Sequence, residues 1–198
     1  MLVHDTQVGS LTQQGLKGFP YGRERVAGLL ERDEAQCFRA AGLFDEPPSP
    51  EVVLWWDRFA QTVRVEIDDR LLLQGREAER LSLAHERDRL KMLGVAREPR
   101  WMAIENNAAG FDILSFDKGP VEPISRLIEV KSSTHNPPRI ILTRNEWEAA
   151  TRFGESYIFH IWTLPVQALI ERSVAQMIEH IPLDRGSGEW GTVEIAMA

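Results

Sequence analysis

Cysteine is nearly absent from this chain, because Cys37 is the only one among its 198 residues. A disulfide within the chain and a cysteine-based zinc cluster are therefore both excluded. No apolar run approaches the roughly 20 residues that a membrane-spanning helix needs. The first residues also lack the basic start and apolar run of a secretory signal peptide. These absences favour a cytoplasmic protein with no membrane partner.

Positive charge is in deficit as well. The chain has 30 acidic against 23 basic residues, which gives a formal net charge of -7. A surface that coats nucleic acid is broadly basic, so the composition argues against one. A nuclease is not excluded, because such an enzyme concentrates carboxylates at its metal site and needs only a local basic rim. No histidine spacing typical of a zinc site occurs.

The first part of the chain has helical patterns. Residues 1–22 lack periodicity and are predicted to be an irregular arm. Helical apolar spacing follows over residues 23–41 and 51–74, on either side of the proline-rich segment FDEPPSPE. Gly75 is expected to interrupt the second helix, and another helix is predicted to end at Gly94. We therefore expect an N-terminal arm and helical region over residues 1–74 and a second domain over residues 75–198.

The second part changes to short β-rich runs separated by turn residues. These runs are RWMAIEN, GFDILSF, RLIEVKS, RIILT and SYIFHIWTL, the last predicted to be central because it is mostly apolar. The segment TRNEWEAATRF is predicted to be a helix whose capping box, Thr143 and Glu146, has a structural role. QALIERSVAQMIEHI is predicted to be helical and GTVEIAM to be a terminal edge strand. The order predicts an α/β sandwich with a mixed sheet.

Charged residues interrupt the strand IEVKS. Residues two apart in a strand share a face, so Glu129 and Lys131 project together. An antiparallel pairing with the preceding run would bring Asp112 near Glu129. Two adjacent carboxylates repel each other unless a divalent cation lies between them, and magnesium prefers such oxygen ligands. A water on that cation could attack a phosphodiester while Lys131 stabilises the developing charge. The alternative is an ordinary cross-strand ion pair.

The helix predicted before Gly94 carries two glutamates on its apolar face. Glu79 and Glu86 fall on one helical stripe with Leu83, Leu90 and Leu93, which is the natural inward face. An inward carboxylate needs a partner, which a metal-bound water or a buried arginine could supply. A second alignment turns Leu81 inward instead and leaves Glu79 at the margin. The spacing does not decide which glutamate lines the site.

The ordered motifs G-F-D-I-L-S, I-E-V-K-S and T-R-N-E resemble the NO VEIN C-terminal domain family over about residues 75–164. That family resembles the Mrr-like and wider PD-(D/E)xK endonucleases. The resemblance implies a restriction-endonuclease-like core, with a mixed central sheet flanked by helices. It also implies that Asp112, Glu129 and Lys131 are active-site residues, that the Val130 carbonyl is a further metal ligand, and that Glu79 or Glu86 is the acidic helix residue.

Further polar residues are candidates for nucleic-acid contacts. Ser132, Ser133 and His135 follow the lysine, where hydroxyl groups can hold phosphate or simply be solvated. Asn145 lies in the first turn of the predicted helix, where its amide could reach substrate or only the backbone. Arg144 is a candidate phosphate contact, although surface solvation explains it about as well.

Three functions are compatible with these patterns. The first is an endonuclease that uses Mg²⁺ or Mn²⁺ to hydrolyse DNA, in restriction or defence by family analogy. Its partners would be DNA and either a second copy of the chain or a partner defence protein. The second is a non-catalytic nucleic-acid-binding or assembly module on a nuclease-like fold. The third is a nuclease for RNA or modified DNA with the same active-site residues.

Overall fold

A computed structural model describes residues 11, 13–105 and 109–197 of the chain. The chain divides into two compact units, Met1–Leu72 and Leu73–Ala198. Helices and a mixed five-stranded sheet make it an α/β protein, in agreement with the sequence. Within the described ranges, no helix is both long and apolar enough to cross a membrane.

The first unit contains short helices around an aromatic core. The helices that precede the proline-rich segment are α1 (Gln13–Gly18), α2 (Arg23–Ala27) and α3 (Arg32–Ala40). The single helix expected over residues 23–41 is thus split in two, because Glu31 begins α3 with a capping box that it forms with Glu34. Phe19, Phe38, Trp55 and Trp56 are buried together in this unit, so the two tryptophans pack in its core.

Helix α4 (Pro50–Leu93) is 44 residues long and is capped by Ser49, whose hydroxyl accepts a hydrogen bond from the Val52 N–H. The predicted interruption at Gly75 is wrong, since the helix continues through it. A glycine inside a helix costs only about 1 kcal/mol relative to alanine, which good helix formers on both sides can offset. The helix ends as expected at Gly94, which has a φ of 67°.

The second unit is built on a five-stranded mixed sheet. Its strands are β1 (Arg100–Trp101), β2 (Ile113–Asp117), β3 (Ile124–Ser133), β5 (Tyr157–Thr163) and β6 (Ala168–Ser173), in the order β1-β2-β3-β5-β6. β3 pairs antiparallel with β2 and parallel with β5, and the other pairs are antiparallel. β5 therefore lies inside the sheet, which confirms the central position predicted from its apolar sequence.

A smaller sheet joins the fourth and last strands. β4 (Arg139–Thr143) pairs antiparallel with β7 (Thr192–Ala196), so the predicted terminal strand forms but does not pair with the main sheet. Helix α6 (Arg144–Phe153) follows β4 directly and begins at the capping box of Thr143 and Glu146. The β4–β7 pair and α6 contribute Ile140, Leu142, Ala150 and Ile195 to one core with β5.

Two segments differ from the sequence prediction. The helix expected over residues 167–181 is β6 followed by the short helix α7 (Val174–Met177), because Leu169 and Ile170 pair with Trp162 and Ile161 of β5. The first β-rich run forms only the two residues of β1 before turning into the short helix α5 (Met102–Glu105).

The two faces of the main sheet have different partners. Glu129 and Lys131 lie on the face of β3 that also carries Leu127, which packs into the core containing α6. Arg126 and Ile128 alternate with them on the opposite face. On that opposite face of β5, His160 contacts Ser82 of α4. The sheet thus separates two groups of charged side chains.

Candidate functional site

Asp112 is fixed against β3 at the point where β2 begins. Its backbone N–H donates a hydrogen bond of 2.9 Å to the Ile128 carbonyl. Its side-chain Oδ2 accepts a hydrogen bond of 2.8 Å from the Val130 N–H. Within a strand the N–H and C=O of one residue point to the same side, so the Val130 carbonyl also points towards the Asp112 edge. The predicted antiparallel approach of Asp112 to the Glu129 strand is therefore confirmed.

Glu129 and Lys131 form a nearly buried ion pair on β3. Lys131 Nζ lies 2.9 Å from Glu129 Oε1, and Glu129 is only 5% exposed. The other carboxylate oxygen, Oε2, is 3.2 Å from the hydroxyl of Tyr157 on β5, and the same hydroxyl lies 2.9 Å from the Gly110 carbonyl. Glu129 thus has a polar neighbour at each of its oxygens.

A third carboxylate, Glu146, reaches the same lysine. Its Oε2 lies 2.7 Å from Lys131 Nζ and accepts a hydrogen bond from the Thr143 N–H. The sequence predicted only the capping role, which the structure confirms, and missed the contact with Lys131. The capping box fixes Glu146 relative to its own helix terminus, but no signal in the sequence gives its approach to Lys131, which depends on how β4 and α6 return to β3.

Burial shifts the pKa of the two β-sheet carboxylates upwards. Burial raises the pKa of Glu129 to about 8, with the nearby Asp112 adding to the shift and Lys131 opposing it. Burial likewise raises the pKa of Asp112 to about 6, although the Val130 N–H opposes the shift. The ionised form of both carboxylates is therefore disfavoured in this environment, despite the presence of one lysine.

Lys131 and Glu146 are shifted towards their charged forms. Burial alone would lower the pKa of Lys131, but Glu129 and Glu146 outweigh it and the pKa is raised. Burial alone would raise the pKa of Glu146, but the Lys131 ammonium and the Thr143 hydrogen bonds lower it. The pair is thus a charged contact in a site with little water.

Glu79 on α4 acts on the same site. Its negative charge raises the pKa of Asp112. The Glu79 carboxylate accepts hydrogen bonds from Arg76 and from the indole N–H of Trp101 on β1. Glu79 is partly buried, with 13% of its side chain exposed. Of the two helical glutamates, this is the one whose charge acts on Asp112.

Glu86 belongs to a second ionic cluster, on the opposite face of the sheet. It is fully buried, binds Arg89 through both oxygens and accepts a hydrogen bond from Ser115. Arg126 and His160 approach it at 3.7 Å. A buried arginine is the partner that the sequence offered as the alternative to a metal. The structure therefore separates Glu86 from Asp112 and Glu129.

The residues after Lys131 have varied surroundings. Ser133 is buried, and its hydroxyl accepts hydrogen bonds from the N–H groups of His135 and Arg139, which shapes the turn into β4. Ser132 accepts a hydrogen bond from Gln74 on α4. His135 is exposed. The nucleic-acid contacts suggested for these residues stay predictions.

Helix α6 presents further polar residues. Asn145 is exposed in its first turn. Arg144 is held by Asp184, by Glu148 and by the ring of Trp190, 5.7 Å away, so its guanidinium is already engaged by carboxylates. Arg152, in the last turn, is exposed and has no carboxylate partner in the described part of the chain. It lies beside Gly110, whose carbonyl accepts the Tyr157 hydrogen bond.

The donor set fits a hard divalent cation with few protein ligands. Among residues 11, 13–105 and 109–197, no group of three histidine, cysteine, aspartate or glutamate side chains converges closely enough to hold a metal ion. Asp112, Glu129 and the Val130 carbonyl offer oxygen atoms only. Mg²⁺ often keeps several waters and binds through one or two carboxylates, so this set suits it.

Residues 78–172 match the family model described as Protein NO VEIN, C-terminal. The match includes residues 78–93 of α4, β1 to β5 and most of β6, and therefore every active-site candidate named above. It covers just under half of the chain. No curated protein and no solved structure matches the chain.

Proposed function

We propose that this protein is a cytoplasmic, divalent-cation-dependent endonuclease that hydrolyses phosphodiester bonds of DNA, on a restriction-endonuclease-like core. The observation that carries the proposal is the meeting of Asp112 with the strand segment Glu129–Lys131. The Asp112 carboxylate is hydrogen-bonded to the middle residue of that segment. Two carboxylates and a lysine are thereby brought together at β3, the middle strand of the sheet.

The charges of the site support the proposal. Among the residues that the structure describes, Lys131 is the one ammonium that acts on Asp112, Glu129 and Glu146. When ionised, the three carboxylates leave two negative charges uncompensated, which a divalent cation would balance. The pKa values of Asp112 and Glu129 are raised mainly by burial and further by the neighbouring carboxylates, and a bound cation would offset both causes. An ordinary structural ion pair would need one carboxylate for one lysine.

The chain offers a distinct role to each group. Asp112, Glu129 and the Val130 carbonyl would hold the cation, which when bound makes water more acidic and a better nucleophile towards phosphorus. Lys131 would orient that water and stabilise negative charge on the phosphoryl oxygens. Glu79 would stay in hydrogen-bond contact with Trp101 and support Asp112 from the helix side.

A cleavage assay tests this function. Supercoiled plasmid and labelled duplex DNA are incubated with Mg²⁺, with Mn²⁺ or with EDTA, and an RNA duplex is run in parallel. We expect metal-dependent cleavage of DNA, reduced about 100-fold or more by Lys131→Ala. Lys118→Ala, at an exposed position, is the matched control and should cleave as the wild type does. Equal cleavage by Lys131→Ala and wild type would overturn the proposed role of the lysine.

A second candidate is a non-catalytic module for nucleic-acid binding or assembly. The observation that favours it is the contact of both Glu129 oxygens with protein groups, Lys131 on one side and Tyr157 on the other. A purely structural network would have this arrangement without any cation. This candidate predicts DNA or protein binding that is independent of divalent metal and unchanged by Lys131→Ala.

A further inference from the structure

We propose that Glu146 is a positioning residue, which keeps the Lys131 ammonium at the site when Glu129 turns its carboxylate to a divalent cation. The inference rests on the proposed function, because it assigns a role within the same site. It concerns a residue outside the sheet, on helix α6, that the strand motif does not contain. Glu146 would then have two roles, as the capping residue of α6 and as the residue that positions Lys131.

Lys131 has two carboxylate partners at similar distances. Its Nζ is 2.9 Å from Glu129 Oε1 and 2.7 Å from Glu146 Oε2, and only 14% of the lysine side chain is exposed. A cation on Glu129 would compete with the lysine for that carboxylate. An ammonium left without an acceptor in a nearly dry site is costly. Glu146 supplies the acceptor that remains.

Glu146 is held in place by the start of α6. Its Oε2 accepts a hydrogen bond of 2.9 Å from the Thr143 N–H, and its own N–H donates one of 3.3 Å to Thr143 Oγ1. This reciprocal pair is a capping box, which fixes the side chain relative to the helix terminus. The position of the Lys131 acceptor is therefore set by the backbone of α6 and not by a mobile surface side chain.

The carboxylate partners of Lys131 differ between the cation-free and the cation-bound site. Without a cation, Lys131 has both partners, so loss of Glu146 leaves it bound to Glu129. With a cation on Glu129, Glu146 is the one carboxylate still in contact with Lys131 among the described residues. Glu146→Gln keeps an acceptor oxygen for the Thr143 N–H but removes the charge that holds the ammonium.

The ammonium group of Lys131 can be observed directly by ¹H–¹⁵N correlation spectra of lysine side chains, in the presence and absence of Mg²⁺. Lys131→Met identifies the signal by removing it. We expect the signal in the wild type both with and without Mg²⁺. In Glu146→Gln we expect it without Mg²⁺ and its loss at saturating Mg²⁺. Glu148→Gln, at an exposed position on the same helix, is the matched control and should behave as the wild type does.

Several results would overturn the inference. Persistence of the signal in Glu146→Gln at saturating Mg²⁺ shows that another group holds the lysine. Its loss from the wild type on adding Mg²⁺ shows that Glu146 does not retain it, and its absence without Mg²⁺ contradicts the ion pairs. Where Glu146→Gln does not fold, Glu146→Asp, one methylene shorter, is used and the same loss is expected.

The same spectra distinguish failure of this inference from failure of the proposed function. If Mg²⁺ shifts backbone signals of Asp112 and Val130 but the Lys131 signal does not depend on Glu146, only the positioning role fails. If no backbone signal responds to Mg²⁺ or to Mn²⁺, the divalent-cation site fails and the positioning role fails with it. Steady-state cleavage by Glu146→Gln gives a second readout, with kcat expected to fall about tenfold at unchanged KM.

Discussion

The carboxylate of Asp112 accepts a hydrogen bond of 2.8 Å from the backbone N–H of Val130. This bond joins two segments that are 18 residues apart in sequence and places an acidic side chain beside the Glu129–Lys131 pair. Because the donor is a backbone group of the sheet, the position of Asp112 depends on strand pairing and not on a flexible surface contact. The candidate site is therefore as rigid as the β2–β3 ladder.

Substitution of Glu86 should lower stability, whereas substitution of Glu79 should lower metal affinity. Glu86→Gln removes the fully buried carboxylate of its ionic cluster and leaves Arg89 and Arg126 with only the part-exposed Asp117 and Glu171 as partners, so we expect the free energy of unfolding to fall by about 3 kcal/mol. Glu79→Gln should instead lower Mn²⁺ affinity about tenfold, the size seen for groups that support metal ligands. Urea unfolding and calorimetry measure the two effects.

The control for this pair of variants is Glu77→Gln, at an exposed position where the ion pair with Arg80 contributes little. It should leave both the unfolding free energy and the metal affinity close to the wild-type values. A loss of metal affinity in Glu86→Gln with unchanged stability would contradict the separation of the two clusters.

The substitution Gly75→Ala tests whether α4 is a continuous helix at this residue. Apart from its chain neighbours and the backbone of its own helix, no atom of the described residues lies within 4 Å of a Cβ built at Gly75, so Gly75→Ala should stabilise the protein by roughly 0.5–1 kcal/mol. Gly110→Ala is the contrasting variant, because its φ is 81° and its Cβ would lie 3.2 Å from Ala149 Cβ. Chemical denaturation of both should give opposite signs. Destabilisation by Gly75→Ala would indicate that the helix is interrupted there, as its sequence alone suggested.

The sequence predicted the strands with alternating or apolar patterns, and it predicted the meeting of Asp112 with β3. It failed where a local pattern was outweighed by its surroundings. Gly75 is a weak helix former between strong ones, and the residues of β6 have helical spacing but pair with β5. The Glu146 contact could not be derived from sequence, because it depends on how β4 and α6 return to β3. The choice between Glu79 and Glu86 likewise needed the register of α4 on the sheet.

His160 should make the fold sensitive to mild acid. Burial lowers its pKa to about 4, with Glu86 and Glu171 opposing the shift and Arg126 and His85 assisting it. An unfolded histidine has a pKa of about 6.5, so between pH 6.5 and 4 the unfolded state binds more protons than the folded state. The contribution of His160 to the free energy of unfolding should therefore fall as the pH falls through this window, by about 3 kcal/mol. Asp112 and Glu129, whose pKa values are raised, contribute in the opposite direction, so the contribution of His160 is measured as a difference between two proteins.

The measurement is the unfolding free energy of wild type and His160→Asn at pH 7, 6, 5 and 4. The variant removes this titration but leaves those of Asp112 and Glu129, and those of His85 and Glu171, whose pKa values are raised and lowered by their mutual contact. The difference between the two proteins should change with pH in favour of the variant as the solution becomes more acidic. A difference that stays constant from pH 7 to pH 4 would contradict the buried neutral state of His160.

Arg152 should contribute to substrate binding. It is an exposed cation beside the Gly110 loop, and no carboxylate of the described residues pairs with it. Arg152→Gln should raise the KM for DNA cleavage several-fold at unchanged kcat, with a weaker dependence of binding on salt. Arg172→Gln, on β6, is the control and should leave KM unchanged. Equal changes in both variants would mean that only the net charge of the protein matters.

The most direct test of the account is calorimetric titration of Mn²⁺ and Mg²⁺ into the wild type and into the double variant Asp112→Asn, Glu129→Gln. These substitutions keep the shape of each side chain and remove its charge. The account predicts binding of the cation by the wild type and loss of binding by the double variant, with both proteins folded. Failure of the wild type to bind either metal, with or without DNA, would contradict the metal-dependent nuclease and leave the Glu129–Lys131 pair as part of a structural network.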